Sequence, residues 1–105
     1  MTPPYYAVIF TSLQSIDTEG YSKMAKNMEE LARQQPGFLD FEHAREDIGI
    51  GISYWESLEA IARWKSNLEH LEAQELGKER WYEWYKIRIC KIEREYSFSR
   101  QQAKD

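Results

Sequence analysis

The stretch from Ser57 to Tyr85, SLEAIARWKSNLEHLEAQELGKERWYEWY, holds three of the chain's four tryptophans, two of its seven tyrosines and one of its two histidines. Side chains of that bulk either fill an interior or wall a pocket, and a chain of 105 residues is one domain with little interior to spare. The run therefore marks where the core or a pocket lies.

With 42% hydrophobic and 14% aromatic residues the chain can bury a core, and a charged fraction of 30% is ordinary for a folded domain. The net charge is -4, and no stripe of Lys and Arg stands apart from neighbouring acids, so nucleic acid has no electrostatic footprint. No segment approaches the roughly 20 apolar residues of a membrane helix. The lone Cys90 has no internal disulfide partner, and the opening MTPPYYAVIF lacks the basic and apolar regions of a secretory leader. The expected compartment is the cytosol. Two separated histidines and one cysteine give no zinc spacing, so no metal site is expected.

Tyr5 to Phe10 is an aromatic and β-branched run of strand length, apolar enough to be covered on both faces. Asp17 or Thr18 is positioned to cap a helix whose apolar residues Tyr21, Met24, Ala25, Met28, Leu31 and Ala32 form one stripe. Pro36 and Gly37 end it. Phe38 to Arg45 alternates, with Leu39, Phe41, His43 and Arg45 on one face and Phe38, Asp40, Glu42 and Ala44 on the other. Glu46 to Gly49 reads as a turn into a strand from Ile50 to Trp55. Ser57 caps the long second helix, whose inner line is Trp64, Leu68 and Leu71 and whose pattern breaks at Gly77. A short helical turn carrying Trp81, Tyr82 and Trp84 is expected next, then a strand from Tyr85 to Tyr96. In that strand Tyr85, Ile87 and Ile89 share one face while Cys90 and Ile92 take the other, which implies a bulge or burial on both faces. Residues 97–105 are a polar tail beyond a domain spanning 1–96.

The order β-α-β-β-α-β predicts an α+β, ferredoxin-like fold, a four-stranded antiparallel sheet with both helices on one face. Apolar side chains on the helix-free face then call for a cover, and a second copy packed sheet to sheet in a homodimer supplies it.

Several side chains have two readings. Trp64, Trp81 and Trp84 are either core or pocket wall. His70, flanked by Glu69 and Glu72, is either a solvated helix residue or a general base. His43 and Arg45 bind an acidic or phenolic group if their face looks inward, and otherwise decorate an edge. Arg88, on a face with Lys86 and Cys90, is a strand-held candidate for gripping an anion. Gly49-Ile50-Gly51 lacks the third glycine of a dinucleotide fingerprint and reads as flat or bulged strand.

Pro36-Gly37-Phe38, Ser53-Tyr54-Trp55-Glu56-Ser57, and the ordered series Trp64, His70, Ala73, Gln74, Gly77, Lys78, Trp81, Tyr82 and Tyr85 together resemble the antibiotic biosynthesis monooxygenase family of dimeric α+β barrels. The resemblance implies oxidation of a small electron-rich aromatic, a quinol or phenol, by dioxygen without metal or flavin. It implies Trp64 and His70 as the catalytic pair, His70 accepting a proton. Six residues apart on a helix, they are about 120° out of alignment and would flank a pocket wall. Tyr54, Trp55, Trp81, Tyr85, Arg88 and His43 become candidate substrate contacts. Polyketide-oxidising members have an Asn one turn before the Trp and a Tyr six residues after it, where this chain has Ala60 and His70. Haem-degrading members place the axial His about ten residues after the Trp and an Asn near the end of the first strand. Here Gln74 and Thr11 or Ser12 stand there, so haem is the lesser expectation and no cofactor the main one. A barrel that binds a small aromatic molecule without catalysis is the alternative.

Overall fold

The computed structural model describes residues 1–69 and 77–100. Its elements are β1 (Tyr5–Gln14), α1 (Tyr21–Arg33), β2 (Phe38–Arg45), β3 (Ile48–Trp55), α2 (Leu58–Glu69), a π-helical turn (Gly77–Trp81) and β4 (Tyr82–Ile92). The strands form one antiparallel sheet in the order β2-β3-β1-β4. This is the α+β, ferredoxin-like β-α-β-β-α-β fold. No helix among the described residues is long and apolar enough to cross a membrane.

The two helices cover one face. Ala32 of α1 and Ala60 and Ile61 of α2 form a core with Trp55, against which Tyr6, Val8, Phe38 and Trp64 pack. Trp55 is wholly buried at 0% exposure. Phe38 meets it edge-on at 5.4 Å between ring centroids, and Trp64 stacks at 6.1 Å with 27° between the planes. Its indole N–H donates to Ser53 Oγ at 2.9 Å, which removes the cost of burying that donor unpaired.

Register divides the remaining strand residues. Tyr6, Val8, Phe10 and Ser12 of β1 lie opposite Trp55, Ser53, Gly51 and Gly49 of β3 and opposite Lys91, Ile89, Ile87 and Tyr85 of β4. All of these point to the helix side, because directly paired residues of an antiparallel ladder share a face. The opposite, helix-free face carries Ala7, Ile9, Ile50, Ile52, Tyr54, Arg88 and Cys90.

Several boundaries differ from the sequence expectations. Helix α1 begins after Gly20, which takes φ +82°, and neither Asp17 nor Thr18 caps it with a side chain; the Asp17 carboxylate is engaged by Arg80 instead. β1 extends four residues past Phe10, because Thr11 to Leu13 find partners in both β3 and β4 and Gln14 pairs with Tyr82 of β4. The β2-β3 turn is reduced to Glu46 and Asp47, since Ile48 and Gly49 pair with Leu13 and Ser12. A register shift between Phe38 and Asp40 brings Phe38 to the helix side, onto Trp55, rather than to the Asp40 side. On α2, Ala60, Ile61, Trp64 and Leu68 face inward while Leu58 is 51% exposed. β4 takes in Tyr82 and Trp84 and ends at Ile92. Its pairing with β1 is unbroken from Trp84 to Ile92, so the change of face after Ile89 is plain alternation without a bulge. Ser57 does cap α2, its Oγ accepting the Ala60 N–H at 3.1 Å.

Gly37 ends the α1-β2 connection at φ +88°, and a Cβ there would stand 2.6 Å from the Ala60 Cβ. Only glycine meets both demands. Gly37→Ala is expected to cost about 2 kcal/mol or more in urea unfolding, combining backbone strain with overpacking. Gly20→Ala, with the same sign of φ but only an ordinary contact to Trp81, is expected to cost about 1 kcal/mol.

Candidate functional site

The helix side of the sheet has a run of small residues at its centre: Ser12, Gly49, Gly51 and Ser53. The room they leave is taken by long side chains from β2. The Phe41 ring lies over Gly51, where a Cβ would meet it at 3.5 Å, and the Arg45 guanidinium lies over Gly49, where it would have to shift to make room for a Cβ. Arg45 Nη2 donates to Ser12 Oγ at 2.5 Å, and Ser12 is 0% exposed. The guanidinium carbon stands 5.9 Å from the centre of the Tyr21 ring, a cation-π distance. Arg45 Nη1 is buried and has no acceptor among the described residues.

Further aromatic rings continue from Tyr21. Tyr82 packs edge-on against Tyr21 at 5.7 Å and against Phe10 at 5.4 Å, while Tyr85 stacks on Phe10 at 5.2 Å. The Tyr82 hydroxyl donates to the Tyr21 hydroxyl at 3.2 Å. Burial pushes the Tyr82 phenol far above its ordinary range, the Tyr21 hydrogen bond adds to this, and the Arg45 charge opposes it. Tyr82 is therefore a hydrogen-bond donor at neutral pH and not a base.

The site residues expected from the sequence divide into three groups. Trp55, Trp64, Trp81, Tyr85 and His43 lie on the helix side. Trp55 is core, and the half-buried Trp64 stacks on it. Trp81 is 5% exposed; its indole N–H donates to the Glu19 carbonyl at 2.9 Å and its ring meets Tyr21 edge-on at 5.8 Å. His43 is exposed on the edge strand, with its ring 5.4 Å from Phe41. Tyr54 and Arg88 form the second group, on the helix-free face, because Tyr54 pairs with Ala7 and Arg88 with Ile9. Tyr54 and Trp64 are thus on opposite sides of the sheet and cannot grip one molecule within a single protomer. The Tyr54 hydroxyl donates to Glu42 at 2.7 Å, and that bond first, with burial second, pushes its pKa up to about 12. His70, the expected base, lies outside the described residues. Cys90 is half-buried on the helix-free face.

Arg45 is a candidate in the sequence through its strand face, and Tyr85 through the family resemblance, while Tyr21 and its contact with Tyr82 come from the fold. The signal for Arg45 in the sequence is the alternation that sets it on one strand face with Leu39, Phe41 and His43. An open depression of about 440 Å³ between Gly20 and Arg80 includes Trp81 but none of the Arg45 cluster.

Comparison with known proteins agrees with this architecture. The family profile described as antibiotic biosynthesis monooxygenase matches residues 4–76. The chain is 48% identical over 98 residues to the uncharacterized Bacillus subtilis protein YqjZ, covering 91% of this chain and 86% of that one. Among solved structures it is similar to a mutant of SnoaB, a cofactor-independent oxygenase from Streptomyces nogalater, with a TM-score of 0.75 at 11% identity over 89% of this chain and 97% of that one. A conserved protein from Methanosarcina mazei gives a TM-score of 0.72 at 14% identity, covering 83% and 91%. The chain belongs to the antibiotic biosynthesis monooxygenase family, whose members include monooxygenases, and it has that family's fold.

The turn that delivers Trp81 and Tyr82 to the cluster is held by charge. Arg80 Nε donates to Asp17 at 2.9 Å, and this hydrogen bond is the first cause holding the Asp17 carboxyl below its ordinary 3.8. A carboxyl lowered on folding adds stability that is full above its unfolded value and lost as pH falls through the folded one. The stability difference between wild type and Asp17→Asn, followed by thermal melting, is expected at neutral pH, to shrink once pH drops below 3.8, and to vanish in stronger acid. Both partners are exposed, so the effect is small and weakens with salt.

Proposed function

We propose that the protein is a monooxygenase that oxidises a small electron-rich aromatic, of quinol or phenol type, with dioxygen and no cofactor. Family membership carries this reading. The aromatic lining on the helix side, with a cation among the rings, supports it, since such a substrate needs stacking surfaces and a group that favours its phenolate. The reaction balances as hydroquinone plus dioxygen giving a hydroxyquinone plus water: one oxygen atom enters the ring and the other leaves as water. Deprotonation of the quinol makes it rich enough to pass an electron to dioxygen. His70 is the proposed proton acceptor, and Trp64 the proposed pocket wall beside it.

The proposed assembly is a homodimer through the helix-free face. Ile48, Ile50 and Trp84 on that face are 41%, 46% and 40% exposed in the protomer, a concentration of apolar surface that favours a cover. The working enzyme is proposed to act in the cytosol, away from membranes and nucleic acid.

Oxygen uptake by metal-stripped protein across a panel of naphthohydroquinones tests the activity. Uptake above autoxidation is expected, falling about tenfold or more in Trp64→Phe and in His70→Ala. Uptake equal to background in all three proteins would remove the enzymatic reading and leave that of a barrel binding an aromatic molecule. Sedimentation is expected to give twice the protomer mass of 12.6 kDa, reverting to the single mass in Ile50→Lys.

A further inference from the structure

Arg45 sits in a setting that a merely structural arginine does not need. Its Nη2 is fixed by Ser12, its carbon lies near the Tyr21 ring, and it occupies the space over Gly49. Three surfaces thus define the position of the guanidinium. Its Nη1 is buried without an acceptor among the described residues. The charged groups of the other elements near it are engaged elsewhere or face away: Asp17 and Glu19 meet Arg80 at the protein surface, and Glu42 accepts from Tyr54 on the opposite side of the sheet. A buried cationic N–H without a partner is costly, by more than the mean value of a formed hydrogen bond. A chain with net charge -4 has carboxylates to spare for it, yet none of those described is placed there.

We infer that Arg45 is the anion-binding residue of the site and that the aromatic ligand carries an acidic group, a ring carboxylate or an equivalent acidic enol, which Nη1 receives while the ring lies against Phe10, Tyr82 and Tyr85. The inference rests on the proposed aromatic-binding reading and narrows it from electron-rich aromatics in general to anionic ones. Arginine suits this role because its planar fork can hold Ser12 with one nitrogen and offer the other to the ligand. Ser12 is a positioning residue, since it acts through Arg45.

Binding is the test, because it reads the site without turnover. Titration calorimetry of the full chain with 1-hydroxy-2-naphthoate and with 1-naphthol compares ligands that differ by the carboxylate. Wild type is expected to bind the carboxylate about tenfold or more tightly. Arg45→Met, which keeps the apolar stem, is expected to bring the two affinities together. Ser12→Ala is expected to narrow the preference, and Arg45→Lys to retain part of it. Equal wild-type affinities would overturn the inference, as would a preference that survives Arg45→Met. The wild-type comparison decides even if the methionine variant does not fold. A carboxylate preference without quinol-dependent oxygen uptake would sink the oxygenase proposal and leave this one standing. Uptake without the preference would do the reverse.

Discussion

The fold depends on finding a dry place for the Trp55 indole at the end of β3. Wholly enclosed, it needs an acceptor for its N–H and close contacts on every side. Ser53, two residues earlier on the same strand face, is the acceptor. Phe38, Trp64, Ala60 and Ala32 bring in β2, α2 and α1. One side chain thus joins both helices to the sheet. The small residues around it follow from that closeness: Ala60 lies against Gly37, and Glu56 N–H donates to the Gly37 carbonyl at 2.8 Å, so the two connections after α1 and β3 are stitched directly together.

Packing this tight at one end of the sheet leaves the other end free for different chemistry. Toward Ser12 and Gly49 the helix face of the sheet has no bulk of its own, and the space is filled from β2 by Phe41 and Arg45. Filling a hollow with a guanidinium instead of an isoleucine sacrifices stability. The Tyr21 ring offsets part of that cost through cation-π contact, and Tyr82, Phe10 and Tyr85 pack on from Tyr21 as a chain of rings. Burial raises the Tyr82 phenol, so Tyr82 is not a base.

Much of the architecture was legible because its signals are local. Pro36-Gly37 marks the end of the first helix, Ser57 the start of the second, and the strand order follows from element order and the rules of connection. The site was legible only in part. Alternation sorts β3 into two faces, but Tyr54 and Trp55 are both large and aromatic, and nothing in the pattern says which one meets the helices. The bulge after Phe38 was hidden for a related reason: Phe38, Leu39 and Phe41 are all apolar, so a phase shift among them changes no visible periodicity. Likewise Tyr82 and Trp84 resemble the end of a helical run until pairing with β1 shows them to be strand. Arg45 and His43 read alike as nitrogen-bearing side chains on one face. What separates them is depth, Arg45 lying over Gly49 with one nitrogen buried and His43 standing exposed at the edge.

Placing a cation rather than a strong base at the centre of the aromatic cluster has a chemical consequence. A phenol or quinol must lose a proton before it can reduce dioxygen, and a protein can assist either by supplying a base or by making the phenolate more stable. Each pKa unit removed from the substrate corresponds to about 1.4 kcal/mol of differential interaction, within reach of one charge-assisted hydrogen bond in a water-poor site. On the proposed reading Arg45 supplies that stabilisation, and the base, proposed as His70, need only be weak. One contact then both recognises the ligand and lowers its pKa, and because a more strongly stabilised phenolate gives up an electron less readily, the grip on the anion has to be balanced against its reactivity toward oxygen.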